Sequence, residues 1–388
     1  MVAQSTGMPR SPDVAVIGGG IIGCSAAAML AERGAGVTLF EATGIGAGAS
    51  GRSLGAIQHP FDPILATLYR DSLDRYRQLA ARDGEFAVPD QPAGVLMLNR
   101  DAEAARAQVT RLTAAVPELE AEFLDFEAVA AAEPSLVPGF AACRLATGYP
   151  IPPAWATTAW ARLAERSGAE VRVGMAAEPW LQGGAVRGVQ LTDGTRVAAG
   201  ALLIAAGPWS PPLVDPTGGW APIRRTWGVT VQLDLGAAAP RHVVEQDEVD
   251  AVNRPVAAAA RAAAGDPQAG PPSLFSIASA SGISTLGSTF LPAEGDPEPI
   301  ARLLIERGAT YLPAIATAPV GGIRQCARPQ SVDGRPFIGP VSGAAGLFVC
   351  AGNGPWGIST GPGSAALAVS AILDGAPVPP ELGADRPV

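Results

Sequence analysis

Two hydrophobic periods alternate along the chain. Val14-Ala15-Val16-Ile17 is an unbroken apolar run of strand length, the pattern of a strand covered on both faces. It passes directly into Gly18-Gly19-Gly20 and then into 21–30, small and apolar enough for a buried helix, with Gly34 behind Glu32-Arg33 as its stop. Gly36-Val37-Thr38-Leu39-Phe40 predicts a second strand ending at Glu41. Helical spacing returns over 61–82, where Ile64, Leu65, Leu68, Leu73, Tyr76 and Leu79 recur at that period, and again over 101–115, 125–133, 155–167 and 300–312. Short strands are predicted at 94–98, 171–173, 186–191, 201–205, 229–233 and 282–286, with a closing helix over 364–373. The group 171–205 reads as a return to the first sheet. An insert that leaves and re-enters that first unit is the simplest account of the order. Residues 1–10 read as a loose tail, and the Ala/Pro/Gly-rich tract 255–272 as a mobile surface loop.

The first strand, turn and helix carry chemistry. Gly18-x-Gly20-x-x-Gly23 between a strand and a helix gives a tight turn, close backbone approach to a diphosphate, and close helix packing. The helix N-terminus adds unpaired N–H groups and a positive dipole end. Glu41 lies about 20 residues beyond, where a carboxylate accepts from a ribose hydroxyl. The segment 44–53 is too small-sided to pack a core and reads as a loop whose amides approach a ligand, or as a linker.

Composition removes alternatives. The net charge of −9 disfavours nucleic acid. The 27 basic residues are all arginine, which excludes lysine Schiff-base and P-loop lysine chemistry. Cys24, Cys143, Cys326 and Cys350 are scattered, and the histidines are His59 and His242 alone, so no metal site is expected. Without a signal-like start or an apolar run of roughly 18 to 20 residues, a soluble cytoplasmic protein without a membrane span is expected.

Three further stretches extend the pattern: Gly46-Ala47-Gly48-Ala49-Ser50-Gly51-Arg52; Leu203-Ile204-Ala205-Ala206-Gly207-Pro208-Trp209-Ser210; and Arg328-Pro329 through Asp333-Gly334 to Gly339, with Ala351-Gly352 leading to Gly357 and Pro362. With the GxGxxG, and in this order, the chain resembles the D-amino-acid oxidase, glycine oxidase and sarcosine oxidase superfamily of FAD enzymes. The resemblance implies an α/β architecture: a Rossmann-like FAD-binding domain of the GR2 type and a discontinuous α+β substrate domain with a largely antiparallel, six-stranded sheet. Its segments would be 11–87, 145–215 and 321–388 for the first, and 88–144 and 216–320 for the second.

Carried over by position, FAD would be held by Gly18, Gly20, Ile21, Ile22 and Gly23, by Glu41 and Ala42, and by Ala49, Ser50, Gly51 and Arg52. Ala176 and Ala177 would meet adenine, Ala206, Gly207 and Trp209 would pass the cofactor, and Gly354, Pro355, Trp356, Gly357, Ile358, Ser359 and Thr360 would bind the flavin ring. Arg328 stands where relatives grip the substrate carboxylate and would border the flavin, with Arg324 as the competing arginine. Cys326 stands where sarcosine-oxidase-like members carry a flavin-linked cysteine; the other reading is a small buried residue. His59 could serve as a base or as a structural group, and Trp356 could wall the substrate pocket or simply pack. Asn353 replaces a histidine common in the family. The implied reaction is oxidation of a C–N bond by hydride transfer to flavin N5. Its substrate would be glycine, sarcosine, a D-amino acid or a cyclic imino acid. Alternatives are a tailoring enzyme for a larger amine, or an FAD-binding subunit of a hetero-oligomer; a homo-oligomer is equally compatible.

Overall fold

The computed structural model describes residues 13–247 and 273–387, so the expected tail over 1–10 and the loop tract 255–272 lie outside the described residues. The chain opens with β1 (Val14–Ile17), α1 (Ile21–Glu32), β2 (Val37–Glu41), the four-residue helix α2 (Ala49–Arg52), β3 (Ala56–Ile57) and α3 (Pro63–Ala80). It continues through β4 (Val95–Asn99), α4 (Ala102–Ala115), β5 (Glu122–Leu124), α5 (Phe126–Ala132), β6 (Ala141–Leu145), β7 (Tyr149–Pro150) and α6 (Pro153–Arg166). Next come β8 (Glu170–Val173), β9 (Ala177–Gln182), β10 (Ala185–Leu191), β11 (Arg196–Ala198), β12 (Ala201–Ile204) and α7 (Ser210–Val214). The remainder holds β13 (Ile223–Leu233), β14 (Val243–Gln246), β15 (Ser273–Ala280), β16 (Ile283–Thr289), α8 (Pro297–Ala309), β17 (Val320–Ser331), β18 (Phe337–Pro340), β19 (Leu347–Ala351) and α9 (Gly357–Asp374).

Strands β18-β19-β12-β1-β2-β8 form one sheet in that order, parallel except for the edge strand β18. The unbroken apolar run of β1 follows from its central place. Val14 and Val16 enter the core on one face with α1, while Ala15 and Ile17 enter the core on the other. Helix α1 packs against both α6 and α9, so no face of it can be polar, and Ala26, Ala27 and Ala28 are fully buried there.

A second sheet has the order β17-β13-β16-β15-β14-β4-β6-β5 and is antiparallel except between β14 and β4. It holds eight strands where the resemblance implied six. Strand β17, which the sequence places at the start of the returning segment 321–388, pairs here with β13 from Ile223↔Ser331 to Leu233↔Val320. Its Pro329 is tolerated because β17 is the edge of the sheet.

Two sequence expectations need correction. Residues 186–191 do not join the first sheet: β10 lies between β9 and β11 in a separate antiparallel sheet. The turn at Gly183-Gly184, with φ of +63° and +74°, folds β10 straight back on β9, and local hairpin geometry decides the pairing.

The closing helix begins at Gly357 rather than at 364. Gly361-Pro362 reads as a helix breaker, and Pro362 indeed cannot donate to the Ile358 carbonyl. Tyr76 Oη on α3 donates to that carbonyl instead, at 2.9 Å, and the Gly363 amide donates to Ser72 Oγ at 2.8 Å. A Cβ at Gly363 would overlap the Leu68 carbonyl, so glycine is what lets α3 come this close. Removing the hydroxyl in Tyr76→Phe leaves a buried acceptor unpaired and should cost about 1–3 kcal/mol. Urea unfolding measures this, and an unchanged midpoint would dismiss the role.

Candidate active site

The turn after β1 is built by exclusion of side chains. Gly18 has φ +116°, and a Cβ there would overlap the Ala205 carbonyl. A Cβ at Gly23 would overlap the Gly18 carbonyl, and one at Gly20 would lie 3.1 Å from Ser50 Oγ. Glu41 Oε2 accepts from the Gly19 amide at 2.6 Å, and Oε1 accepts from the amide and hydroxyl of Thr43 at 2.7 and 2.8 Å. The Met175 amide donates to the Glu41 carbonyl at 2.9 Å, which brings Ala176 and Ala177 beside Glu41 and Ala42. These residues fit a dinucleotide: a side-chain-free turn at the N-terminus of α1, with an acid at the next strand end. Ser50 Oγ accepts from the Ile21 amide at 3.0 Å, one residue before Ile22.

Segment 44–53, read from sequence as a loop, contains the turn of helix α2 and is clamped on two sides. The Gly46 amide donates to the Gly19 carbonyl at 2.9 Å. On the other side Arg324 donates to the Gly51 and Ser53 carbonyls at 3.3 and 3.1 Å, and Arg52 donates to the Gln325 carbonyl at 2.7 Å. Thr230 Oγ1 donates to the Arg52 carbonyl at 3.2 Å. Arg324 is therefore spent on the C-terminal carbonyls of α2, and its burial pulls the guanidinium below its usual range. After β12, Ala206 leads to Gly207 at φ +56° and to Trp209, which stays 44% exposed. Further on, Gly354, Pro355 and Trp356 lead into α9 at Gly357, Ile358, Ser359 and Thr360. Asn353 Nδ2 donates to Thr360 Oγ1 and Ser364 Oγ at 2.9 Å each, so the residue at the departed histidine position ties down the start of α9.

Between this framework and the eight-stranded sheet lies a cavity of about 100 Å³. Met97, Glu245, Ser276, Ser288 and Arg328, from β4, β14, β15, β16 and β17, form its sheet side with Phe290. Ser53, Leu54, Gln58 and Phe61 close it from the segment after α2, and Pro355 and Trp356 from the approach to α9. Arg328 Nη1 donates to the Thr289 carbonyl at 2.7 Å, Nη2 donates to Ser288 Oγ, and the guanidinium lies 4.7 Å from the Phe290 ring centre. Among the described residues no carboxylate pairs with it. Burial pulls its pKa down, against a small opposing effect of Cys326.

The structure brings Arg328 and Trp356 together on the cavity wall, but not His59. The His59 ring packs edge-on to Tyr69 at 4.9 Å, with Nε2 3.5 Å from Glu118. Burial lowers its pKa despite Glu118, leaving a neutral imidazole outside the cavity lining. Cys326, between Arg324 and Arg328 on β17, is buried, and burial pushes its thiol up although Arg328, Arg52 and Arg324 pull the other way. Sequence reasoning missed Gly228, Gln58 and Glu245. Gly228 is forced by packing: a Cβ there would lie 2.5–2.7 Å from the Arg328 guanidinium. Glu245 left one visible signal, an acid inside the apolar strand Val243-Val244-Glu245.

Comparisons with known proteins agree with this geometry. The family profile described as FAD dependent oxidoreductase (DAO) matches residues 13–371. A glycine oxidase of Pseudomonas putida is 28% identical over 390 residues, covering 96% of this chain and 99% of that protein. The bifunctional tRNA 5-methylaminomethyl-2-thiouridine biosynthesis protein MnmC of Nitrosospira multiformis is 41% identical over 95 residues, which span 24% of this chain and only 15% of that protein. The crystal structure of glycine oxidase from Geobacillus kaustophilus matches in fold, with a TM-score of 0.80 at 22% identity over 97% of this chain and 99% of that one. No helix among the described residues is long and apolar enough to cross a membrane.

Proposed function

We infer that this chain, which belongs to the DAO family of FAD-dependent oxidoreductases, oxidises the C–N bond of a small amino or imino acid whose carboxylate is gripped by Arg328. FAD supplies the hydride acceptor, and this chain's own residues orient the substrate and exclude water. Gly18, Gly20, Gly23, Glu41 and Ser50 fit the ADP half, and the approach to α9 at Gly354–Trp356 fits the flavin side.

One observation carries the substrate class. The Arg328 guanidinium has five donors, and those bonded to protein go to neutral oxygens, with no anion paired to it among the described residues. A charge held there at a desolvation cost is offset when a carboxylate arrives, because a planar guanidinium can bind it bidentately. The name of the Pseudomonas putida relative points the same way.

The test is an anaerobic titration of the flavin-loaded protein with glycine, sarcosine, D-alanine and D-proline. At least one is expected to bleach the flavin, while their decarboxylated amines do not. Equal bleaching by amines without a carboxylate would overturn the reading.

A further inference from the structure

The row that crosses the eight-stranded sheet beside the cavity has one position without a side chain. Thr230 on β13, Gly287 on β16 and Ser276 on β15 lie side by side, and Ser276 pairs with Gly287 across its strand. A Cβ at Gly287 would stand 3.3 Å from Ser276 Oγ, 3.5 Å from Thr230 Cγ2 and 3.7 Å from Leu54 Cδ1. Ser276 and Leu54 both line the cavity, so the space that Gly287 leaves open belongs to it. At Gly228 the Arg328 guanidinium fills the place of the missing Cβ, whereas at Gly287 the nearest atoms are side-chain contacts at longer range. Ser276 is 5% exposed, and its hydroxyl makes no hydrogen bond among the described residues. A buried hydroxyl without a partner is held at a cost that a ligand can remove. Arg328 is tied to the same place, because its Nη2 donates to Ser288 Oγ, on the residue that follows Gly287. Successive residues of a strand rise about 3.3 Å, so a molecule with its carboxylate on the guanidinium reaches Ser276 over Gly287 within a few bonds.

We propose that Gly287 and Ser276 form the subsite for the substituent on the substrate's α-carbon, and that this subsite takes a short side chain ending in a hydroxyl, as in serine. This rests on the carboxylate reading of Arg328 above. Gly287 supplies the room, and the Ser276 hydroxyl exchanges a hydrogen bond with that of the substrate. The Thr230 methyl and Leu54 bound the same space with apolar surface. An apolar side chain of equal size leaves Ser276 unpaired, and that difference is what selects against it. Ser276 therefore determines specificity and takes no part in the transfer of hydride.

The experiment measures binding of three carboxylic acids to the FAD-loaded protein by titration calorimetry. The acids are 3-hydroxypropionate, butyrate, in which a methyl replaces the hydroxyl, and acetate, which lacks the extension. None carries an amine, so binding is read without turnover. Wild-type protein should bind 3-hydroxypropionate about three- to tenfold more tightly than butyrate, and Ser276→Ala should bring the two within about twofold. Gly287→Ala should weaken both longer acids at least fivefold and leave acetate within about twofold, which shows that Arg328 is still in place. Equal affinities in the wild-type protein, or a preference that survives Ser276→Ala, would overturn the proposal, as would equal weakening of all three acids in Gly287→Ala. Failure of the underlying reading is distinguishable: acetate would then bind Arg328→Gln as tightly as wild type, whatever Ser276 does.

Discussion

Arg328→Gln is expected to lower the second-order rate of flavin reduction by the preferred amino acid by roughly two to three orders of magnitude. Truncating one member of a desolvated charge pair costs about 2–5 kcal/mol, and each 1.4 kcal/mol is a factor of ten. The FAD content of the purified protein should remain near wild type, since the cofactor-side turn at Gly18–Gly20 lies in the other sheet. Arg328→Lys should not restore the rate, because a point charge replaces a planar fork already anchored to Thr289 and Ser288. Gly228→Ala tests the same idea without touching the arginine. Its Cβ would stand 2.5 Å from Nη1, so the guanidinium must shift, and the rate should fall about tenfold or more. Anaerobic stopped-flow measures all three, and a wild-type rate in Arg328→Gln would remove the clamp.

The second large effect lies at the opposite end of the site. Gly23→Ala places a methyl group on the Gly18 carbonyl, and Gly18 cannot retreat because its own Cα faces the Ala205 carbonyl. Overpacking of this kind costs about 1–3 kcal/mol, and any FAD lost removes a further mass-action contribution of about 2.7 kcal/mol at a hundredfold excess over Kd. The protein should purify largely colourless and melt several degrees lower, and added FAD should raise its Tm far less than that of wild-type protein stripped of cofactor. The ratio of flavin to protein absorbance decides the point: a full complement of FAD would show that Gly23 is not needed for close packing.

Elements with a strong period were legible from the chain. Strand β1, α1 and β2 are where the apolar run, the glycines and Glu41 predict them, and Asp62 caps α3 beside Pro63 at the start of its periodic face. What stayed hidden depends on partners remote in sequence. The first turns of α9 form because Tyr76 and Ser72 replace bonds that Pro362 breaks, and nothing within 357–363 announces this. The membership of β10 was settled by the hairpin turn at Gly183-Gly184 rather than by its neighbours in the chain. Around the cavity, the α2 carbonyls that hold Arg324, and the Tyr69 and Glu118 that flank His59 outside the lining, lie far from those residues in sequence. Gly228 was silent because a glycine within a strand acquires meaning only from what lies across it.

Segment 44–53 joins the Gly19 carbonyl, through Gly46, to the edge strand that carries Arg328, through Arg52 and Arg324, and to the neighbouring β13, through Thr230. For protein engineering this makes β17 a poor unit of exchange. A strand transplanted from a relative with another pocket would arrive without the contacts that seat the cofactor turn, and a new substrate preference would come with weakened flavin retention. Moving β17, which carries Arg324, together with Arg52 and with Thr230 of β13 as one cassette is the arrangement that keeps both.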